Sequence, residues 1–276
     1  MKKMVMLGAL MALWGMSAFA QDSNFHIYLC LGQSNMEGNA RFEPQDTLGV
    51  DERFRVFQAV DCPDLNRRKE QWYTAVPPLV RCDTGLTPVD YFGRTMVESL
   101  PENIRVGVVC VAVAGCKIEL FDQDTYQAYA ADAPDWMKER IDKYGGNPYA
   151  RLVELGRKAQ KEGVIKGILL HQGESNTNDS IWPQKVKKVY DRLLSDLNLE
   201  PNSLPLLSGE VVNADQDGQC ASMNEIIATL PEVIPNAHVI SSKGCTSVED
   251  KLHFSAEGYR ELGKRYARKM LSLSGL

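Results

Sequence analysis

The 276-residue chain contains only four histidines, and none of them belongs to a metal-binding pattern. There is no C-x-x-C and no H-E-x-x-H, so neither structural zinc nor any cofactor is expected. Basic runs are scarce as well. The longest is Arg67-Arg68-Lys69, in a chain of net charge −5, which argues against nucleic acid as a partner, because phosphate binding takes a concentrated basic surface. After residue 20 no apolar run is long enough to span a bilayer. There is no internal repeat, low-complexity tract or linker, so residues 21–276 are expected to form one domain.

The first twenty residues differ in character. Lys2 and Lys3 precede the apolar run MVMLGALMALWGM, and AFA ends at Ala20. That is the charged, apolar and small-residue order of a secretory signal peptide, here residues 1–20, and it implies export to the periplasm or beyond. The residue directly after Ala20 is Gln21 and not cysteine, so a lipid anchor is not indicated. Export makes disulfides possible for the seven cysteines. Cys30 and Cys110 lie in apolar strand-like runs and read as buried small hydrophobes, which leaves Cys62 with Cys82 and Cys220 with Cys245 as candidate pairs.

Five apolar segments rich in Val, Ile and Leu read as strands: residues 25–31, 104–113, 164–171, 204–211 and 237–242. They lack clean alternation, as expected of strands covered on both faces. Residues 149–160 and 181–197 read as amphipathic helices, and a last helix starts after Ser255, a good N-cap. Strands alternating with helices predict an α/β fold, a doubly wound and mostly parallel five-stranded sheet. Residues 40–90 read as a long decorated connection and residues 120–148 as an insertion. NADQDG (213–218) resembles half a calcium loop, but Glu225 falls one residue past the twelfth position, so a turn is expected there.

In such a sheet ligands bind beyond the carboxyl ends of the strands. Four chemically coherent groups fall there: Ser34 in GQSN; Gly115 in AGC; Gln172, Glu174 and Asn176 in HQGESN; and Asp250 and His253 in DKLHFS. A serine hydroxyl attacks a carbonyl only with a neighbouring base. His26 and His238 sit in strand runs and His171 ends one, whereas His253 lies in a loop three residues after Asp250, a spacing that lets a carboxylate orient the imidazole. The backbone N–H groups of Ser34 and Gly115 and the side chain of Gln172 are the natural donors to an oxyanion. Met36 occupies the last position of G-x-S-x-G, so the usual α/β-hydrolase elbow is not matched.

GQSNM, HQGESN and DKLHFS together resemble the signatures of the SGNH-hydrolase superfamily, and within it those of carbohydrate esterase family 6 and the sialate O-acetylesterase-like group. The resemblance spans nearly all of the chain after residue 20. It implies a flavodoxin-like fold and metal-independent deacetylation of sugar hydroxyls. By motif position Ser34 would be the nucleophile, His253 the base and Asp250 its partner, with Glu174 a second candidate acid and Gly115 and Gln172 completing the oxyanion hole. Ala114-Gly115-Cys116 departs from the paired glycines followed by Thr or Ser of related enzymes. Cys116 is a rival nucleophile only if it has a base of its own.

The expected function is thus a secreted carbohydrate O-acetylesterase, acetylxylan-esterase-like, acting on an acetylated carbohydrate. A sialate O-acetylesterase or another ester hydrolase of the same fold is the alternative, and a non-catalytic carbohydrate-binding protein the remoter one. Trp136, Tyr144 and Tyr149 are candidate sugar platforms beside Asn176.

Overall fold

The computed structural model describes residues 21–274, so the signal-peptide reading of residues 1–20 lies outside the described residues. The described residues form an α/β structure around one seven-stranded sheet. Its strands are β1 (Asp22–Gly32), β2 (Phe54–Phe57), β3 (Trp72–Thr74), β4 (Arg105–Ala112), β5 (Gly163–His171), β6 (Leu206–Gly209) and β7 (Ala237–Ile240). The order is β3-β2-β4-β1-β5-β6-β7, parallel throughout except for the antiparallel edge strand β3.

The five strands expected from the sequence are the consecutive set β4-β1-β5-β6-β7, which has the flavodoxin-like order. The expected count of five is corrected to seven by β2 and β3, both inside the 40–90 connection. FRVF and WYT are only four and three residues long and stand among Pro, Asp and Arg, so neither makes a visible apolar run. Phe54, Val56 and Phe57 are nonetheless buried against β4.

The sheet is covered on both faces, which explains the missing alternation. In β1, Ile27, Leu29 and Leu31 enter one core with Leu152, Leu155, Val189 and Leu193 from the helices Pro148–Ala159 and Trp182–Asp196. Tyr28 and Cys30 enter the other, with Phe92 and Met96 of helix Pro88–Ser99 and Tyr259, Leu262 and Tyr266 of helix Ala256–Leu273. Ser255 caps that last helix as expected, its side chain accepting from Gly258 N–H at 3.1 Å.

Register sets the position of the site. Gly32, the last residue of β1, pairs with Ala112 at the end of β4 and with His171 at the end of β5. Three chains therefore leave the sheet at the same level, and the residues after them meet above its edge. A side chain at Gly32 would place its Cβ 2.1 Å from the His171 carbonyl oxygen; only glycine permits that approach.

Candidate active site

Ser34 opens a one-turn helix, Ser34–Glu37, directly after β1. Its hydroxyl lies 2.9 Å from His253 Nε2, and His253 Nδ1 lies 2.7 Å from Asp250 Oδ2. The Asp-x-x-His spacing builds this arrangement locally. Asp250 Oδ1 accepts from the backbone N–H of Leu252 at 2.8 Å and of His253 at 2.9 Å, so one carboxylate folds the loop and holds the ring at its end. Partial burial pushes the Asp250 carboxyl upward, but the His253 ring and these two N–H groups outweigh it and hold the carboxyl below the usual range.

Ser34 and His253 open onto a cleft of about 630 Å³ lined also by Gln33, Gly115, Trp136, Arg140 and Glu174. Gly115 adopts φ +72°, and a Cβ there would sit 2.7 Å from the Trp136 ring. Glycine is required both for the backbone and for the close approach. Among the described residues, the backbone N–H groups of Ser34 and Gly115 donate to no protein atom. Gln172, expected beside them, is fully buried behind the cleft. Its Nε2 donates to Gln33 Oε1, Asn176 Oδ1 and the Cys116 carbonyl, and its Oε1 accepts from the Trp182 indole. Gln33, next to Ser34, lines the cleft in its place, as do the amides of Asn39 and Gln219.

Three side chains that the sequence did not single out hold the site together. On the short turn around Ser34, residues 33, 35 and 37 each grip a different loop. Gln33 Oε1 accepts from Gln172 Nε2 at 3.0 Å and lies 3.3 Å from Ser175 N, joining the turn to the segment after β5. Asn35 Nδ2 donates to the Leu252 carbonyl at 3.0 Å and its Oδ1 accepts from Phe254 N–H at 3.3 Å, bracketing His253 from both sides. Glu37 Oε1 accepts from Ala114 N–H at 2.9 Å and from Arg81 at 2.5 Å, fixing the Gly115 loop through a buried ion pair. The only signal in the sequence was the run of polar residues beside Ser34, since every partner is far along the chain.

Glu174 lies at the cleft floor, 93% buried, with Oε1 accepting from Asn35 Nδ2 at 2.5 Å. It makes no hydrogen bond to His253; the imidazole nearest to it is His171, at 3.7 Å. Burial pushes the Glu174 carboxyl up and pushes His171 down to about 3. Cys116 is fully buried, its Sγ 3.8 Å from the Gly32 carbonyl, and burial raises its thiol well above the ordinary range. A protonated, buried thiol without a base is no nucleophile.

Of the aromatic residues expected as platforms, only Trp136 reaches the cleft, carried by the helical insertion (Tyr126–Asp132 and Asp135–Asp142) and 47% exposed. Tyr144 is buried with its hydroxyl on the Ala112 carbonyl, and Tyr149 is buried with its hydroxyl on Asp196. Asn176 is also buried, bridging Ile118 N–H, Gln172, Glu119 and Asp179 behind the cleft. Cys62 and Cys82 form the expected disulfide, whereas Cys220 and Cys245 are separate thiols. The 213–218 segment is a short 3-10 turn, Ala214–Gln216, and no cluster among the described residues could hold a metal ion.

Residues 24–272 match the family model of carbohydrate esterase, sialic acid-specific acetylesterase. A probable carbohydrate esterase of Arabidopsis thaliana is 30% identical over 131 residues, which are 46% of this chain and 49% of that protein, so the match spans about half the length of this curated relative. The crystal structure of an Arabidopsis thaliana protein superposes with TM-score 0.69 at 20% identity, covering 91% of this chain and 99% of that one. NanS superposes with TM-score 0.66 at 15% identity over 93% of this chain and 99% of that one. A carbohydrate acetylesterase from Xanthomonas citri superposes with TM-score 0.61 at 18% identity over 87% of this chain and 55% of that one. At these identities the superpositions establish the fold.

Proposed function

Given that the chain belongs to the carbohydrate esterase, sialic acid-specific acetylesterase family, we propose that it is an exported carbohydrate O-acetylesterase working through an acyl-serine. The observation that carries this reading is the chain Ser34–His253–Asp250, bonded at 2.9 and 2.7 Å, with two backbone N–H groups, of Ser34 and Gly115, that no atom of the described residues accepts. Ser34 Oγ attacks the acetyl carbonyl as its proton passes to His253 Nε2, and Asp250 stabilises the imidazolium through Nδ1. The Ser34 and Gly115 N–H groups, with Gln33 Nε2 as a side-chain donor, face the oxyanion. Collapse of the intermediate breaks the ester C–O bond, and the sugar oxygen leaves with the proton from His253. Water, deprotonated by the same ring, then attacks the acetyl-serine and releases acetate.

Export is supported by the signal-peptide pattern and by the Cys62–Cys82 disulfide, whose Cα atoms are 5.4 Å apart. No helix among the described residues is long and apolar enough to cross a membrane. For the substrate we favour an acetylated polysaccharide of the acetylxylan kind. A second reading, an acidic sugar such as an acetylated sialic acid, is favoured by Arg140. Its guanidinium lies 4.9 Å over the Trp136 ring in the cleft and has no ion-pair partner among the described residues.

The test is acetate release from acetylated xylan, acetylated sialic acid and a small aryl acetate, with wild type beside Ser34→Ala. Release that disappears in a folded Ser34→Ala supports the esterase, and the preferred substrate decides between the two readings. Equal release by both proteins would overturn it.

A further inference from the structure

We propose a second sugar subsite beside the catalytic cleft, a groove that takes the neighbouring residue of an acetylated oligosaccharide chain. This rests on the carbohydrate-esterase reading and deepens it by assigning the place where the neighbouring residue of the sugar chain binds. The groove has a volume of about 410 Å³ and is lined by Gly38, Asn39, Arg41, Phe42, Asp83 and Thr84, among others. Asn39 also lines the cleft that holds Ser34 and His253, so the two spaces share a wall.

Three observations point to a sugar. First, among the described residues only two aromatic side chains are strongly exposed, Phe42 and Trp136, and each lines one of these two adjoining spaces. An exposed aromatic face is what a pyranose ring stacks on, through its apolar C–H surface. Second, the polar groups are free to bind: Asn39 and Arg41 are exposed, and neither side chain has a hydrogen-bond partner among the described residues. With Arg41 and Asp83 the groove carries one charge of each sign, which suits a neutral, hydroxyl-rich ligand.

Third, the groove is already built. Gly85 N–H donates to the Gly38 carbonyl at 2.8 Å and Leu86 N–H to the Ala40 carbonyl at 2.7 Å, a short bridge that forms its floor. The opposite wall is tied down by Thr84 Oγ1 on the Arg81 carbonyl, by Asp83 on Arg81, and by the disulfide at Cys82. Arg81 is the residue that also anchors Glu37. A groove held in place before binding loses little conformational freedom when a ring enters, so contact energy gained there appears as tighter binding of the chain, in KM.

The experiment measures kcat/KM for acetyl esters of xylose, xylobiose and xylotriose with wild type and Phe42→Ala. The subsite predicts a rise of about tenfold from the monosaccharide to the trisaccharide, equivalent to about 1.4 kcal/mol, carried mainly by KM, and a rise of less than about threefold in Phe42→Ala. A flat wild-type series, or a full rise that survives Phe42→Ala, overturns the subsite while leaving the esterase reading intact. If no member is hydrolysed, the esterase reading fails for these esters. Backbone-amide NMR of the wild type with unacetylated xylotriose then decides the groove independently: shifts confined to residues 38–42 and 83–85 support it, and their absence overturns it.

Discussion

Two histidine–carboxylate pairs with the same i, i+3 spacing lie at the Ser34 cleft or in the core behind it, and they have opposite fates. His253 and Asp250 sit in a loop, with side chains 17% and 45% exposed, and bond at 2.7 Å. His171 and Glu174 sit at 0% and 3%, 3.7 Å apart, and each leaves one buried polar atom, His171 Nε2 and Glu174 Oε2, without a partner. Burial drives both members of the second pair toward their neutral forms, and for Glu174 it outweighs the hydrogen bond from Asn35. In the first pair the loop N–H groups and the imidazole keep Asp250 ionised. Proximity and spacing are therefore poor guides to a working base. What distinguishes the pair fit for proton transfer is access to solvent and substrate, with every charged atom bonded.

The contrast is broken most severely by exchanging the two carboxylates for amides. Asp250→Asn should lower kcat on an aryl acetate by on the order of 10³-fold, because an amide neither orients the useful tautomer nor stabilises the imidazolium. Glu174→Gln should cost less than about tenfold. Steady-state kinetics on the two variants checks this, and a larger loss in Glu174→Gln would reverse the assignment of partners.

A smaller effect follows from the clamp between the nucleophile turn and the histidine loop. Asn35→Ala removes the bonds to Leu252, Phe254, Glu174 and the Tyr259 hydroxyl. Leaving such groups buried and unpaired should lower stability by about 2–4 kcal/mol. The same variant should lower kcat by about 10–100-fold with little change in KM, since His253 loses its bracket while the cleft stays open. Denaturant unfolding and kinetics on the same preparation would show it, and a stability loss with unchanged kcat would make Asn35 merely structural.

The smallest effect is on pH dependence. Folded His171 stays neutral down to about 3, whereas an unfolded histidine takes its proton near about 6.5. Between those values the unfolded state binds more protons, so stability falls as pH falls. Glu174, raised by burial, acts in the opposite sense: its contribution is present below the unfolded glutamate value of about 4.3 and is lost as pH rises through the folded one. His171→Gln should therefore flatten the fall in Tm from pH 6.5 toward pH 4, and Glu174→Gln should flatten a loss toward higher pH. Parallel wild-type and variant profiles would contradict the buried-pair account.

Much of this was legible in the sequence wherever the determining interaction is local or is a run of like residues. The five strands that lie in long apolar runs, the Ser255 cap and the Asp250–His253 loop are of that kind. β2 and β3 were not legible, because β2 draws its stability from pairing with β4, and β3 from pairing with β2, and not from their own pattern. The exchange of Gln172 for Gln33 at the cleft, and the burial of Tyr144, Tyr149 and Asn176, depend on which way a side chain points after tertiary packing. The roles of Asn35 and Glu37 were hidden because their partners lie 44 to 224 residues away in the chain. The exact neighbours of Glu174 likewise emerge only when β5 and β1 end at one level.

The central claim is that Ser34, activated by His253, is the nucleophile. Its most direct test is to treat the protein with a fluorophosphonate and locate the adduct by peptide mass spectrometry, in wild type and in His253→Ala. A single adduct on Ser34 that forms quickly in wild type and at least about a hundredfold more slowly in His253→Ala is the predicted result. An adduct on Ser175 or Cys116, or labelling of Ser34 at the same rate in both proteins, would contradict it.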